Sequence, residues 1–339
     1  MGKGRFRFLG VALAIGLGAC GGAQASEVEI VRLGYFPNVT HAPALIGVEQ
    51  GLFEEELGSV RLETSTFNAG TEAVEALFAD ALDMSFIGPN PAINAHAQSD
   101  GSAIRIVAGT TSGGAALVVR PEIAASGEIA GATLATPSLG NTQDVALRAW
   151  LLSHGVTADL EGGGDVSIVP QSNSQSLETF VSGDIDGAWV PEPWATRLVL
   201  EGGGEILVDE RDLWPDGAFV TTHLIVRTEF LEANPEVVAA ILRGLVSAVD
   251  SIEQDPADAQ QVVNDSIESL TGSSLAPEVM TGAWANLTFT LDPLASSLRQ
   301  SAANAEAVGL LEPVDLDGIY ALEALNEILA SLGRVEVSS

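Results

Sequence analysis

The stretch ATLATPSLGNTQDVALRAWL (132–151) contains a complete predicted strand–turn–helix unit. Its first six residues predict a strand, and Gly140 permits a tight turn that a ligand can approach closely. Asn141 is a good N-cap residue, and Asp144 follows three positions later, as in a capping box. The helix after the turn buries an apolar face formed by Leu147, Trp150 and Leu151. A unit of this kind predicts an α/β fold if it repeats along the chain.

Similar units do repeat on both sides of this stretch. Upstream, β-branched or apolar strand patterns alternate with amphipathic helix patterns. The strands are predicted at 28–36, 60–67 and 83–88, and the helices at 42–53, 71–82 and 90–98. A second series runs from about 131 to 208, and the last third predicts helices, of which 235–252 is the clearest. The alternation indicates mostly parallel sheets covered by helices.

Two short segments are predicted to connect two lobes. They are Ser112-Gly113-Gly114 and the strand around Thr221–Thr222. On this interpretation lobe I is discontinuous and comprises 27–112 and 222–339, whereas lobe II comprises 113–221. The fold class is therefore a two-lobed α/β fold of mostly parallel sheets with covering helices and a two-segment hinge.

Composition limits the function classes. The chain has 339 residues, 46% hydrophobic and 18% charged, which indicates a globular protein with one large or two medium domains. Its formal net charge is -32, and Lys3 is its only lysine. Nucleic acid and anionic lipid surfaces are therefore poor partners. The acidity is typical of a solvated surface that keeps a protein soluble, as at high salt.

The N-terminus predicts export and a lipid anchor. A basic segment with Lys3, Arg5 and Arg7 precedes the apolar run 8–18, which is too short to span a membrane. Leu-Gly-Ala-Cys (17–20) resembles a bacterial lipobox, so 1–19 is predicted to be a lipoprotein signal peptide and 20–26 a tether. The alternative is an ordinary secretory signal, but Cys20 is the only cysteine in the chain.

Loops at the predicted carboxyl ends of the strands are rich in hydroxyls, amides and glycine. Ligands of open α/β sheets bind at these ends. The first N–H groups of a helix lack internal partners, and the helix dipole adds about half a positive charge there. The sequence therefore predicts an anion site without a cationic side chain. The candidate ligand-binding residues are Asn38, Thr40, His41, Asn90, Ser112, Gly113, Gly114, Gly140, Asn141, Thr142, Trp189, Glu192 and Thr221.

Several of these side chains have alternative roles. Trp189 either forms the floor of the cleft or packs in the core. Glu192 either bonds backbone N–H groups or an arginine, or meets a ligand ammonium or a metal. His41 either donates to an oxyanion or packs in its loop, and Arg148 is expected to pair with a nearby acid. Three other histidines lack metal-ligand spacing and are predicted to be structural: His96, His154 and His223.

No catalytic or cofactor motif occurs. The chain has neither a Gly-x-Ser-x-Gly nucleophile elbow nor a Walker A sequence. The single thiol is assigned to the lipid. We therefore expect no enzyme activity, no cofactor and no metal site.

Five segments, taken together and in their order along the chain, resemble the corresponding segments of one protein family. They are LGYFPNVTHAPALIGVEQGLF (33–53), DMSFIGPNPAINAH (83–96), SGGAALVV (112–119), TPSLGNTQDVALRAWL (136–151) and DGAWVPEPWATRL (186–198). The chain is similar here to the periplasmic substrate-binding proteins of nitrate/taurine/sulfonate ABC importers, and most similar to the aliphatic sulfonate-binding proteins. The resemblance covers about 30–227 well and the last third loosely.

The resemblance implies the type II periplasmic binding protein fold and a monomer. Its two lobes would close over an oxyanion and deliver it to a permease with its ATPase subunits. An aliphatic sulfonate is the expected ligand. Taurine, nitrate and bicarbonate are the alternatives among binding proteins. An exported enzyme of the same fold, resembling thiamine-pyrimidine synthesis proteins, is the alternative from another class.

Overall fold

The computed structural model describes residues 1–2, 28–160 and 163–339. The predicted signal peptide (1–19), the tether (20–26) and Cys20 lie outside the described residues. None of the helices within the described ranges is long and apolar enough to cross a membrane.

Strands and helices alternate through most of the described chain. The strands are β1 (Ile30–Tyr35), β2 (Arg61–Thr66), β3 (Met84–Ile87), β4 (Ile104–Gly113), β5 (Ala115–Val119), β6 (Thr133–Thr136), β7 (Ser167–Pro170), β8 (Gly187–Pro191), β9 (Glu205–Asp209), β10 (Val220–Arg227) and β11 (Leu287–Phe289). The helices are α1 (Ala42–Glu49), α2 (Leu52–Leu57), α3 (Gly70–Phe78), α4 (Pro89–Gln98), α5 (Pro121–Ser126), α6 (Thr142–Ser153), α7 (Asn173–Ser182), α8 (Trp194–Leu200), α9 (Thr228–Ala233), α10 (Pro235–Gln254), α11 (Pro256–Thr271), α12 (Pro277–Ala285), α13 (Ala295–Ala307) and α14 (Glu323–Ser331).

These strands form two sheets with one shared layout. The first has the order β2-β1-β3-β10-β4-β11, and the second has the order β7-β6-β8-β5-β9. In each sheet a central strand, β1 or β6, pairs in parallel with two neighbours. The strand beyond them, β10 or β5, pairs antiparallel on both of its sides. The predicted two-lobed α/β fold is confirmed.

The sheets are mixed, not mostly parallel as the sequence suggested. β10 and β5 account for four antiparallel pairings, and β11 adds another at the edge of the first sheet. The physical reason is the route of the chain. β5 enters the second sheet directly after the chain leaves the first, and β10 enters the first sheet on its return. Each therefore runs opposite to the βα units that it joins.

The connection between the sheets requires glycine. β4 ends at Gly113 and β5 begins at Ala115, and both Gly113 and Gly114 have left-handed backbone conformations, with φ of 80° and 72°. A Cβ on Gly114 would also lie 2.1 Å from Cδ2 of Leu287. The returning strand lies alongside, because the Thr221 hydroxyl donates to the Gly113 carbonyl. The two connections are thus hydrogen-bonded to each other.

The core of the first lobe surrounds its sheet. α10 contributes Ile241, Leu245 and Val249, whose spacing of four places them on one helix face. They belong to the apolar cluster that includes Phe53 and Phe86. Two further clusters cover the second sheet. Helices therefore pack on the faces of both sheets, and the loops at the carboxyl ends of the strands remain available for a site.

Candidate functional site

A small cavity lies between the carboxyl ends of the parallel strands of the two sheets. Its volume is about 30 Å³, which is room for roughly two waters. The lining from the first lobe is Phe36, Asn38, Thr40, His41, Asn68 and Gly88, and that from the second is Pro137, Asn141, Thr142, Gln143, Asn173 and Pro191. Thr221 lines it from β10, at the lobe connection. Apart from Thr221, these residues follow β1, β2, β3, β6 and β7 or end β8. The βα units of both sheets therefore end at the same small cavity.

The start of α6 faces this cavity with unused backbone donors. Asn141 occupies the N-cap position, but its side chain makes no capping hydrogen bond. Its amide donates to Gln143 instead, at 3.3 Å. Within the described chain, the N–H groups of Thr142 and Gln143 have no acceptor. These donors and the helix dipole together favour a bound anion.

The predicted capping box does not form. The Asp144 carboxylate accepts from the Gly140 N–H at 2.9 Å and from the Thr136 hydroxyl at 3.0 Å. It also forms a buried ion pair with Arg148, with Nε 3.1 Å away, which confirms the expected role of Arg148. Because Asp144 stabilises the turn before the helix, it leaves the first N–H groups of α6 free for a ligand.

Two buried polar atoms at the cavity lack partners. Thr142 Oγ1 and Asn173 Oδ1 have no hydrogen bond among the described residues. Their residues are only 6% and 7% exposed. A buried polar group without a partner costs on the order of 1–3 kcal/mol. A ligand that supplies a partner for such groups recovers part of that cost, so these atoms indicate where a polar ligand would lie.

His41 enters the cavity as a neutral donor. Burial lowers the pKa of His41 to about 3. Its ring stacks on Phe36 with centroids 4.5 Å apart, and Nδ1 accepts a long hydrogen bond, 3.4 Å, from the Phe36 N–H. With Nδ1 as the acceptor, the proton of the neutral ring is on Nε2. His41 can therefore donate a hydrogen bond without adding positive charge.

We expect this neutral histidine to reduce stability in acid. Between pH 6.5 and about 3, the unfolded chain binds a proton at position 41 that the folded chain does not. Stability therefore falls as pH falls through this window, by about 1.4 kcal/mol per pH unit for this group. Urea unfolding of wild type and His41→Gln from pH 7 to pH 4 measures the effect. The variant should have the shallower pH dependence, and equal slopes would contradict the assignment.

The structure brings six of the predicted ligand residues to the cavity: Asn38, Thr40, His41, Asn141, Thr142 and Thr221. Asn90 is placed elsewhere, because its amide donates to the Ser301 carbonyl at 3.3 Å. Ser112 accepts from the Phe219 N–H at 3.3 Å. The three predicted glycines form the lobe connection and the turn before α6, and they do not line the cavity: Gly113, Gly114 and Gly140.

Trp189 and Glu192 also lie away from the cavity. Trp189 is fully buried in the second-lobe core, and its Nε1 donates to Glu210 at 2.8 Å. Trp189 therefore packs in the core and is not on the cleft floor. Glu192 accepts from the Thr196 N–H at 3.1 Å and from the Asn286 amide at 2.7 Å, so it bonds backbone and amide donors. Burial raises its pKa.

Seven lining residues were absent from the sequence prediction: Phe36, Asn68, Gly88, Pro137, Gln143, Asn173 and Pro191. The signal that would have found most of them is the strand-end rule itself. Asn68 follows β2 and Asn173 follows β7, and both strands pair in parallel with a central strand. Applying the rule to every parallel strand identifies these two asparagines.

At this cavity an anion would be attracted by dipoles and not by charged side chains. Among the described residues its lining contains no arginine, lysine, aspartate or glutamate. The available groups are hydroxyls, amides, a neutral imidazole and backbone N–H groups. Such a set favours a small anion that accepts several hydrogen bonds.

Comparisons with known proteins agree with this architecture. Residues 24–265 match the model of the NMT1-like family. The taurine-binding periplasmic protein of Escherichia coli is 27% identical over 255 residues, 75% of this chain and 76% of that protein. The alkanesulfonate-binding protein SsuA from Xanthomonas axonopodis superposes with a TM-score of 0.69 at 20% identity, covering 85% of this chain and 96% of that one.

A nitrate-binding protein, NrtA from Synechocystis, superposes with a TM-score of 0.71 at 17% identity, over 90% of this chain and 89% of that one. The family resemblance inferred from the five sequence segments is thus confirmed. The chain belongs to the NMT1-like family and has the fold of the periplasmic binding proteins of ABC importers.

Proposed function

We propose that this chain is the exported substrate-binding component of an ABC importer and that it captures an organic oxyanion, an aliphatic sulfonate in the first instance. The observation that carries the proposal is the start of α6. Its unused N–H groups and the unpartnered Thr142 hydroxyl face a small cavity whose described lining bears no charged side chain. The family relatives that bind taurine and alkanesulfonate support an oxyanion as ligand.

A sulfonate suits donors of this kind. Its charge is permanent and is spread over three oxygens, each of which accepts hydrogen bonds. Neutral donors aimed at one point can hold such an anion without a counter-ion. Taurine fits less well, because its ammonium would find an unpartnered acceptor in the described lining, Asn173 Oδ1, but no carboxylate as a counter-ion. The lining within the described ranges has no carboxylate, and Glu192 is already engaged with Thr196 and Asn286.

A small inorganic oxyanion, nitrate or bicarbonate, is the second candidate. The observation that favours it is the cavity volume of about 30 Å³, which matches a headgroup and leaves little room for a tail. A sulfonate tail would have to extend out between the lobes. Chain length in a ligand series therefore distinguishes the two candidates.

We further propose that binding closes the lobes, 27–112 with 222–339 against 113–221, about the connections at Gly113–Gly114 and Thr221–Thr222. Contacts across the cleft support this. The Trp194 indole donates to the Asn38 amide oxygen at 3.0 Å. Gly88 is so close to Thr142 that a Cβ on Gly88 would lie 2.5 Å from Oγ1. A closed monomer would then be the form that the permease and its ATPase subunits recognise.

A thermal-shift screen tests the proposal. The panel contains C2–C8 alkanesulfonates, an aromatic sulfonate, taurine, nitrate and bicarbonate. A ligand that binds only the folded state raises the melting temperature in proportion to its affinity and concentration. We expect the largest shifts with alkanesulfonates. Shifts confined to nitrate or bicarbonate would select the second candidate. Consumption of a ligand during incubation would point to the enzyme alternative.

Cys20 carries the proposed lipid anchor. In Cys20→Ala the binding fold should be unaffected, since position 20 precedes the first strand at Ile30. The variant should lose lipid attachment, and it should appear in the soluble fraction or as unprocessed precursor. Fractionation and mass spectrometry of wild type and variant measure this. A variant that is found with membranes in its processed form would contradict the anchor.

A further inference from the structure

A second, much larger cavity lies outside the anion cleft. Its volume is about 690 Å³, within the range of cavities that hold drug-sized ligands. It lies between the C-terminal half of α6, the start and middle of α13 and the segment 210–218 that leads the chain back to the first lobe. It shares no lining residue with the anion cleft.

Aromatic rings form part of its wall. Trp214 packs one face on Phe219, with centroids 5.6 Å apart and planes 15° from parallel. Trp150 is held by its contacts with Trp189 and His154, at centroid distances of 6.4 and 4.5 Å. Both tryptophans line the cavity and are half-buried. Tryptophan faces attract organic cations more strongly than the other aromatic side chains do.

The charged groups of the wall are acidic. Glu210 and Asp216 contribute carboxylates, and no arginine or lysine is present in the lining that the structure describes. The C-terminal end of α6 adds to this field, because Trp150, Ser153 and His154 belong to its last turn and cap. Helix C-termini carry partial negative charge. The sign of the potential in this cavity is therefore opposite to that at the other end of the same helix.

Glu210 lacks a counter-charge. It is 2% exposed and accepts a hydrogen bond from Trp189, yet it forms no ion pair within the described chain. Burial raises the pKa of Glu210 to about 7, although hydrogen bonding to the Trp189 and Trp214 side chains acts in the opposite direction. A buried carboxylate beside an open cavity is stabilised in its charged form by any cation that enters.

We propose that this cavity is a second ligand site, selective for a small organic cation of the quaternary ammonium class, with Trp150 and Trp214 on the cationic group and Glu210 as its counter-ion. None of its lining residues belongs to the proposed anion site. Its ligand would lie between α6 of the second lobe and α13 of the first.

Choline and its neutral isostere 3,3-dimethylbutan-1-ol are the probes, titrated by calorimetry into the protein without added oxyanion. Choline should bind saturably, and the alcohol about tenfold or more weakly. Glu210→Gln should weaken choline binding about tenfold or more. The fold should be retained, because the glutamine amide oxygen can still accept from Trp189. The matched control is Asp212→Asn, which removes the same charge from an exposed neighbour outside the lining.

Trp214→Leu provides a second test that leaves the charge of the buried carboxylate in place. It should also weaken choline binding, with the melting temperature confirming that the variant is folded. Equal affinity for choline and the alcohol would overturn the proposal. So would the absence of saturable binding at millimolar choline, or unchanged choline affinity in folded Glu210→Gln and Trp214→Leu.

Discussion

Asn141→Asp is expected to weaken oxyanion binding by more than about tenfold while leaving the protein folded. Asn141 lines the cavity at the N-cap of α6 and is 8% exposed. Aspartate is as good an N-cap as asparagine and nearly the same size, so the helix should persist. The aspartate would place a negative charge beside the bound anion. Because position 141 is buried, the attraction between the anion and its hydrogen-bond donors would be opposed by a repulsion that water screens poorly. The cost is on the order of 2 kcal/mol or more.

A graded series makes this result specific. Thr142→Val removes a single hydroxyl and should cost about 1 kcal/mol in binding. Gln254→Glu adds the same negative charge at an exposed position at the end of α10, and it should leave affinity unchanged. Calorimetry with the strongest ligand of the thermal-shift screen ranks the three variants. Equal affinities for wild type and folded Asn141→Asp would place the anion elsewhere.

Gly88→Ala should prevent full closure of the lobes. The backbone of Gly88 is extended, with φ of -70° and ψ of 160°, so alanine is tolerated there by the first lobe alone. The new Cβ would lie 2.5 Å from Thr142 Oγ1 on the second lobe. Overpacking of this kind costs on the order of 1–3 kcal/mol, or about 5- to 150-fold in affinity. Calorimetry gives the loss, and small-angle scattering with ligand should show a larger radius of gyration than wild type.

A second substitution distinguishes a steric block from general damage. In Gly88→Ala with Thr142→Ala, the clashing hydroxyl is gone, and the remaining Cβ of residue 142 is 3.6 Å from the new methyl group, an ordinary contact. The double variant should therefore recover closure in scattering, and its affinity should approach that of Thr142→Ala alone. A double variant as open as Gly88→Ala would show that the lobes do not meet at this point.

Some elements were predictable because local physics determines them. The pattern at 235–252 predicted a helix, and α10 spans Pro235–Gln254, since its apolar spacing and starting proline act within the segment itself. The start of α6 directly after Asn141 was predictable for the same reason. The three-residue strand β11 was not, because it forms only by pairing with the edge of β4, far away in sequence.

The site was predictable only in outline. Strand ends and helix starts placed Asn38, Thr40 and Thr142 at the cavity, since the connectivity of βα units determines where they lie. The partners of Asp144 and Trp189 depend on packing between elements. The Asp144 carboxylate could bond either the N-cap N–H or the turn before it, and it bonds the turn. Trp189 is on a strand whose two faces are both covered, so its side chain would be buried whichever face it occupied. Sequence spacing does not distinguish these outcomes.

The position of β10, between β3 and β4 but after the whole second sheet in the chain, has a consequence for the order of folding. All five strands of the second sheet lie between Ala115 and Asp209, so this sheet can form as soon as that continuous segment exists. In the first sheet, β3 and β4 have no neighbour between them until Val220–Arg227 arrives. That pairing closes a loop containing the entire second lobe, and long-range pairings of this kind are slow. During synthesis the facing edges of β3 and β4 therefore stay unpaired while the whole second lobe is made, and the outer edge of β4 waits longer, for Leu287–Phe289. Aggregation would begin at these edges.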